Sequence, residues 1–357
     1  MQTKVVRIDL DKIKREDMTE AAELIRQGEL VAFPTETVYG LGADALRPEA
    51  SAKIYDAKGR PSDNPLIVHI CKFEELERIA KEVPKQALKL SEAFWPGPLT
   101  MVVWKNEKVP YTTTGGMDTV AVRMPNHPVA LALIEQSGCM IAAPSANTSG
   151  KPSPTEAAHV AKDMDGRIPM ILDGGAVGIG IESTIIDLTE EKPMILRPGY
   201  ITKEMLEEVL GEEVIIDPGI LVSDTTDPAL AGQKPKAPGM RYKHYAPKAD
   251  LALVEGDTDK VVVKINELVN LANAEGKRAG VIATDETMER YRADVVFSIG
   301  ARADEDAIAQ HLYKILRDFD EQQVDVIYSE SFATPRIGQA IMNRLLKAAG
   351  YQVLYTE

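Results

Sequence analysis

The stretch from residue 31 to residue 69 holds the densest set of side chains able to bind or move charge. It reads VAFPTETVYGLGADALRPEASAKIYDAKGRPSDNPLIVH. Thr35 and Thr37 offer hydroxyls, Lys58 and Arg60 offer two cations across one glycine, and His69 offers an imidazole. Lys58-x-Arg60 at a helix-to-loop junction suits an anion, because Arg chelates phosphate oxygens and Lys adds a point charge. The same pair would also serve as a solvated helix end facing the C-terminal dipole. Thr35 and Thr37 would equally well hydrogen-bond their own backbone at a strand end. His69 closes an apolar strand, where a structural role is the ordinary one. Arg123 closes another apolar strand and needs a partner there, either a structural carboxylate or a substrate carboxylate.

Further on, Pro144-Ser145-Ala146-Asn147-Thr148-Ser149-Gly150-Lys151 is a polar loop after an apolar run. Ser153-Pro154-Thr155-Glu156 reads as a helix start, with Ser at the cap, Pro in the first turn and Glu three residues after the Ser. The turn from Asp173 to Gly180 is rich in glycine, but Ile181-Glu182 follows it where a phosphate-binding loop needs Lys-Ser/Thr. It also fails the dinucleotide pattern, since Ser183 stands where a glycine is required. Gly-x-Ser-x-Gly is absent, the five histidines are scattered, and no carboxylates are spaced for a metal. A site of Lys, Arg, Ser, Thr and Asn without a nucleophile fits phosphate chemistry carried by positioning and charge.

These residues need elements to position them. Val5–Leu10 reads as a first strand, and Asp17–Gln27 has helical spacing stopped by Gly28. Leu30–Phe33, Leu66–Val68, Leu99–Trp104, Thr119–Arg123, Met140–Ala143, Pro169–Leu172, Ile185–Leu188 and a last run through Leu196 read as strands. Residues after Gly42 read as a helix ending at Lys58, and Phe73–Ala80 and Lys85–Phe94 as amphipathic helices. The alternation is irregular, which predicts a mixed twisted sheet. From Asp250 onward, strands at 251–254, 279–283, 295–298 and 324–328 alternate with helices at 259–274, 285–291, 305–319 and 335–349. That regularity predicts a small Rossmann-like parallel α/β domain, without the glycine fingerprint of a dinucleotide site. Residues 217–248 have little periodicity and read as a linker. The expected division is therefore a catalytic domain at 1–216, a linker at 217–248 and a second domain at 249–357.

The totals agree with a globular α/β chain. Of 357 residues, 44% are hydrophobic and 27% charged, and the net charge is −14. Such an acidic balance argues against a chain that coats nucleic acid or anionic membrane. No apolar run approaches the ~20 residues of a spanning helix, and the first residues lack an apolar signal core. A cytoplasmic location is expected. Cys71 and Cys139 form no C-x-x-C pair, and free thiols are expected at both.

PTETVYGLG at 34–42, Lys58-Gly59-Arg60-Pro61, Asn64-Pro65-Leu66, Pro144-Ser145-Ala146-Asn147, Glu182-Ser183-Thr184-Ile185 and Leu196-Arg197-Pro198-Gly199 together resemble the YrdC-like domain. The segment Pro238-Gly239-Met240-x-Tyr242-x-His244-Tyr245-x-Pro247, followed by an α/β domain, is similar to the two-domain threonylcarbamoyl-AMP synthase family. That resemblance implies a YrdC-like sheet with a basic concave cavity. It implies synthesis of L-threonylcarbamoyladenylate from L-threonine, bicarbonate or CO2 and ATP, with release of pyrophosphate. The product would serve N6-threonylcarbamoyladenosine formation beside the tRNA anticodon, through a separate threonylcarbamoyl transferase as functional partner. Any direct tRNA contact would be weak, and no membrane is involved.

By resemblance, Lys58 and Arg60 would be the catalytic cations. They would hold ATP with Asn64, Thr119, Ser145, Ser153, Arg197 and Tyr242. Thr37, His69, Arg123, the Ala143 backbone and Ser183 would line the threonine pocket, with Arg123 on the carboxylate. The linker, through Tyr242 and His244, would fold over the ATP. Mg2+ would ride on the phosphates with few protein ligands. Two other readings compete: a nucleic-acid-binding module, and a carbamoyl transferase. Lack of aromatic-basic interleaving outside the linker opposes the first. The second lacks the zinc-finger cysteines and acylphosphatase-like segment of the related maturation proteins.

Overall fold

A computed structural model describes residues 2–221, 245–332 and 335–356. Contacts divide the described chain into two units. The first takes the residues up to 221 except two short pieces, Gly150–Pro152 and Ile179–Ile181, which group with residues 245 onward. The expected linker at 217–248 lies largely outside the described residues, and Tyr242 and His244 lie there with it.

The first unit is one mixed sheet of eleven strands. In chain order they are β1 Lys4–Arg7, β2 Val31–Phe33, β3 Gly40–Asp44, β4 Ile67–His69, β5 Leu99–Trp104 and β6 Thr119–Arg123. Then come β7 Ile141–Ala143, β8 Met170–Asp173, β9 Thr184–Asp187, β10 Met194–Arg197 and β11 Ile215–Ile216. They stand in the order β1-β8-β2-β3-β7-β4-β6-β5-β9-β10-β11. β4 runs parallel to β6, while β5 and β7 run antiparallel to their neighbours β6 and β4.

Strand alternation gives the sheet two chemically different faces. Along β6, Val120 and Val122 join Leu41, Ala43, Val68, Met101 and Ala142 in the main apolar core. Thr119, Ala121 and Arg123 point the other way. Register places Arg123 beside His69 and Thr100, and Ala121 beside Ile67 and Val102. On that opposite face His69, Thr100 and Arg123 stand at one end of a smaller apolar cluster that includes Ile67, Val102 and Ala121.

Several local expectations are corrected. Residues 40–44 form a strand where a loop and helix start were expected, and the helix begins only at Pro48. Glycine makes that strand fit: a Cβ on Gly42 would stand 2.7 Å from both Ile141 and Phe33. β1 stops at Arg7 and a short 3-10 turn takes Leu10–Lys12. The helix expected at 73–80 shrinks to Glu74–Glu77. Ser153 does not cap a helix; the helix runs over Ala157–Met164 behind Glu156. Trp95-Pro96, where the preceding helix ends, is a cis peptide. Neither Cys71 nor Cys139 is disulfide-bonded, and burial pushes both thiols up to about 11.

The second unit has five parallel strands, β12 Asp250–Glu255, β13 Ala279–Ala283, β14 Val295–Ser298, β15 Val326–Glu330 and β16 Val353–Tyr355. Their order is β14-β13-β15-β12-β16. Helices Thr258–Ala274, Glu305–Gln322 and Gly338–Ala348 alternate with them. The helix expected at 285–291 is only a 3-10 turn, Met288–Arg290. The parallel α/β expectation for this part of the chain agrees with the topology.

Candidate active site

Three motifs far apart in sequence meet at the end of β3. The helix Pro48–Lys58 stops at Gly59, whose left-handed φ of 62° lets the chain reverse and sends Arg60 back along its own turn. Lys58 donates from Nζ to the carbonyls of Ser145 and Asn147, each at 2.5 Å. The loop that carries those carbonyls is itself pinned: Leu41 N donates to Pro144 O, Ala146 N to Tyr39 O and Ser149 N to Lys58 O. Lys58 is only 3% exposed. It is therefore not a solvated helix end; its ammonium is engaged by the Pro144–Asn147 loop. Arg60 is half-buried, and its Nη2 donates to the Pro65 carbonyl at 3.1 Å. Asn64 is buried, and its Oδ1 has no aligned donor.

Thr119 begins β6, and the parallel register that sets Ile67 beside Ala121 puts it level with Pro65, next to Asn64. Arg123 ends the same strand, about 13 Å away at ~3.3 Å per residue. One strand therefore spans from the Asn64 end of the site to the Arg123 end.

Around Arg123 the polar groups are close. Its Nη1 donates to Thr37 Oγ1 at 2.9 Å, and its Nε to the Gly97 carbonyl at 3.3 Å. Its Nη2 lies 2.7 Å from Glu36 Oε1. Thr35 takes the backbone role foreseen for it, donating to Val38 O and accepting from Thr37 N and Val38 N. Thr37 does not; its hydroxyl faces Arg123 and stands 2.9 Å from that of Thr35. His69, the register partner of Arg123, is held neutral: burial, reinforced by the Arg123 charge, pushes it down to about 3. Its Nδ1 faces the Ile67 carbonyl at 3.1 Å. Ala143 pairs with Ile67 on the far side of β4.

Thr100, across from Arg123, shares a hydrogen bond of 2.8 Å with Ser183. Arg197 clamps Ser183 twice, from Nε to its carbonyl at 3.0 Å and from Nη2 to its hydroxyl at 3.1 Å. Ser153 donates to Glu182 Oε1 at 2.6 Å, in place of the helix-cap role expected for it. Thr37 thus bonds the Arg123 guanidinium directly, His69 is its register partner and Ser183 bonds its other register partner Thr100, whereas Ala143 lies one strand further on, opposite Ile67. Lys58, Ser145, Arg60 and Asn64 gather around the end of one helix. Glu36, Thr100 and Glu182 were missed in the sequence. The demand of Arg123 for a partner was the signal for Glu36, but only the fold says which carboxylate answers it. Among the described residues no group of three or more His, Cys, Asp or Glu is arranged to hold a metal ion.

A mixed sheet with cations and hydroxyls on one face, followed by a parallel α/β unit, defines a YrdC-like nucleotide-handling protein with a second domain. The family model described as "Telomere recombination" (Sua5, YciO, YrdC) matches residues 23–199. The model for the threonylcarbamoyl-AMP synthase C-terminal domain matches residues 201–350. The chain is 53% identical to the threonylcarbamoyl-AMP synthase of Pyrococcus abyssi, over 96% of this chain and 97% of that one. It is 50% identical to the Bacillus subtilis protein of the same name, over 99% and 100%. A crystal structure of P. abyssi Sua5 complexed with L-threonine superposes with a TM-score of 0.92 at 50% identity, covering 99% of this chain and all of that one. The chain belongs to the threonylcarbamoyl-AMP synthase family, in its two-domain form.

Proposed function

We propose that this protein is an L-threonylcarbamoyladenylate synthase, a nucleotidyltransferase that joins L-threonine, bicarbonate or CO2 and ATP and releases pyrophosphate. The observation that supports this best is the whole-length likeness to a Sua5 solved with L-threonine, because the chain's own Thr37, His69, Arg123 and Ser183 cluster on one sheet face. The threonine amine becomes a carbamate, and a carbamate oxygen attacks the α-phosphorus of ATP. Both nucleophiles come from substrates, so the protein's task is to bring anions together and neutralise them.

Arg123 takes the threonine carboxylate, and Thr37, Ser183 and the Ala143 backbone border that subsite. Lys58, Arg60, Asn64, Thr119, Ser145, Ser153 and Arg197 form the ATP subsite; Tyr242, assigned to it by resemblance, lies outside the described residues. Lys58 acts chiefly by bracing the Pro144–Asn147 loop, given its two carbonyl bonds. A Mg2+ ion carried by ATP would offset the charge of its phosphates. The unpartnered Oδ1 of Asn64 beside Arg60 is a neutral oxygen suited to it. The adenylate passes to a threonylcarbamoyl transferase acting on tRNA in the cytoplasm, with at most weak tRNA contact by this chain. No helix among the described residues is long and apolar enough to cross a membrane.

Pyrophosphate release from ATP tests the reading. Release should require both L-threonine and bicarbonate. Release indifferent to threonine would point to another acceptor, and ATP binding without release would favour a binding module.

A further inference from the structure

Glu36 stands where a buried carboxylate is hardest to explain as structure alone. Its side chain is 12% exposed, and its one charged contact is Arg123 Nη2. Among the described residues, neither Glu36 oxygen receives an aligned hydrogen bond, and Arg123 Nη2 donates none. The 2.7 Å approach is thus a charge contact off the N–H direction. An ionised carboxylate offers about four acceptor positions, and buried ones are ordinarily filled. His127 is the other titratable group that senses this carboxylate: the Glu36 charge pulls its pKa up, while burial, the larger effect, pulls it down. The His127 ring is committed elsewhere, with Nδ1 accepting from Val129 N at the start of a helix.

The pair therefore has matched charge and unmet hydrogen bonds on both members. A ligand that completes both must carry an anion and a cationic donor a bond or two apart, with no net charge. An α-amino acid zwitterion has that form. We propose that Glu36 is a substrate-binding residue that receives the α-ammonium of the amino acid while Arg123 receives its carboxylate. The inference rests on the synthase reading above and deepens it. The Glu36–Arg123 contact opens to admit the zwitterion, and each charge exchanges one internal partner for one on the substrate. Thr37, bonded to Arg123 and next to Glu36 in the chain, holds the guanidinium in place during the exchange.

The test is calorimetric binding to the full chain in CO2-free buffer, comparing L-threonine with 3-hydroxybutyrate, which keeps the carboxylate and hydroxyl but lacks the amine. The wild type should prefer L-threonine at least tenfold. Glu36→Gln should shrink that preference about tenfold, with 3-hydroxybutyrate binding changed less than twofold. Glu36→Asp, which keeps the charge, should retain most of the preference. Equal weakening of both ligands in Glu36→Gln would make Glu36 merely structural and overturn the proposal. Equal tightening would mean that Glu36 only competes for Arg123, and would overturn it too. Should Glu36→Gln fail to fold, a wild-type preference below twofold still refutes the proposal. A wild type that binds ATP and 3-hydroxybutyrate but shows no threonine-dependent pyrophosphate release would instead bring down the synthase reading.

Discussion

A largely buried glutamate contacts an arginine in each unit, Glu36 with Arg123 and Glu330 with Arg302, and the two contacts are built differently. In the second unit, Glu330 at the end of β15 is 1% exposed and well supplied with donors. Tyr291 donates to its Oε1 at 2.9 Å and Thr287 donates to the same oxygen, while Oε2 contacts Arg302 without an aligned hydrogen bond. In the first unit, Glu36 has Arg123 alone, and off-line. A carboxylate anchored through one oxygen by two of its own protein's hydroxyls is held as structure. A carboxylate that lacks them, next to an equally underserved guanidinium, keeps capacity for something else. The difference separates a carboxylate held by internal hydroxyls from the one proposed to face substrate; both glutamates are largely buried, but Arg302 is 37% exposed and Arg123 only 4%.

Variants can break that contrast or sharpen it. The largest effect is expected at the ATP end of the first unit. Arg60→Ala should lower pyrophosphate release by roughly a hundredfold or more, the scale of losing one electrostatic stabiliser, and Lys58→Met by a comparable factor through loss of the braced Pro144–Asn147 loop. Lys58→Met should also melt earlier, because the Ser145 and Asn147 carbonyls lose their shared donor; Arg60→Ala should melt nearly as wild type. Near-normal turnover in either would remove it from the proposed site.

Arg123→Gln should raise the KM for L-threonine at least tenfold with less effect on ATP binding, as steady-state kinetics would read. Glu330→Gln is the counterpart. It should weaken the second unit by roughly 1–3 kcal/mol, since buried donors lose a charged acceptor, and leave initial rates of release within twofold. Amide exchange would localise the loss, because both tryptophans, Trp95 and Trp104, lie in the first unit and fluorescence would miss it. A large fall in release with Glu330→Gln would erase the distinction between the two pairs.

The smallest effect is a pH slope in the first unit. His69 is pushed down to about 3, chiefly by burial. The unfolded chain therefore binds a proton near pH 6.5 that the folded chain refuses until about 3. Between those values the unfolded state holds more protons, so stability rises with pH and levels off above 6.5. The slope is about 1.4 kcal/mol per pH unit for this one group. Subtracting the urea-melting profile of His69→Phe from that of the wild type should isolate it. A flat difference between pH 4 and 6 would mean that His69 charges within the fold.

Much of the site was legible as motifs, and for a physical reason. Lys58-Gly59-Arg60 carries its own geometry, because only a left-handed residue lets a helix end and reverse between two cations. Thr35 showed its local turn because that bond spans three residues. Failures came where distant groups overrode local preference. Ser153 looked like a cap, but Glu182, far along the chain, takes its hydroxyl. Residues 40–44 lacked the branched residues of a typical strand, because Phe33 and Ile141 leave no room for side chains there.

By itself, the sequence determined the two-part α/β plan and the strands that end in polar residues. Periodicity and punctuation are local properties, and a chain displays them before it folds. Tertiary structure alone decided which partner each charge would have: Lys58 the carbonyls of Ser145 and Asn147, Arg197 the Ser183 backbone, Arg123 the carboxylate of Glu36. Those choices depend on register across strands that are neighbours in space and not in sequence. A one-residue slip would turn Thr119 and Arg123 into the apolar core and Val120 and Val122 out of it.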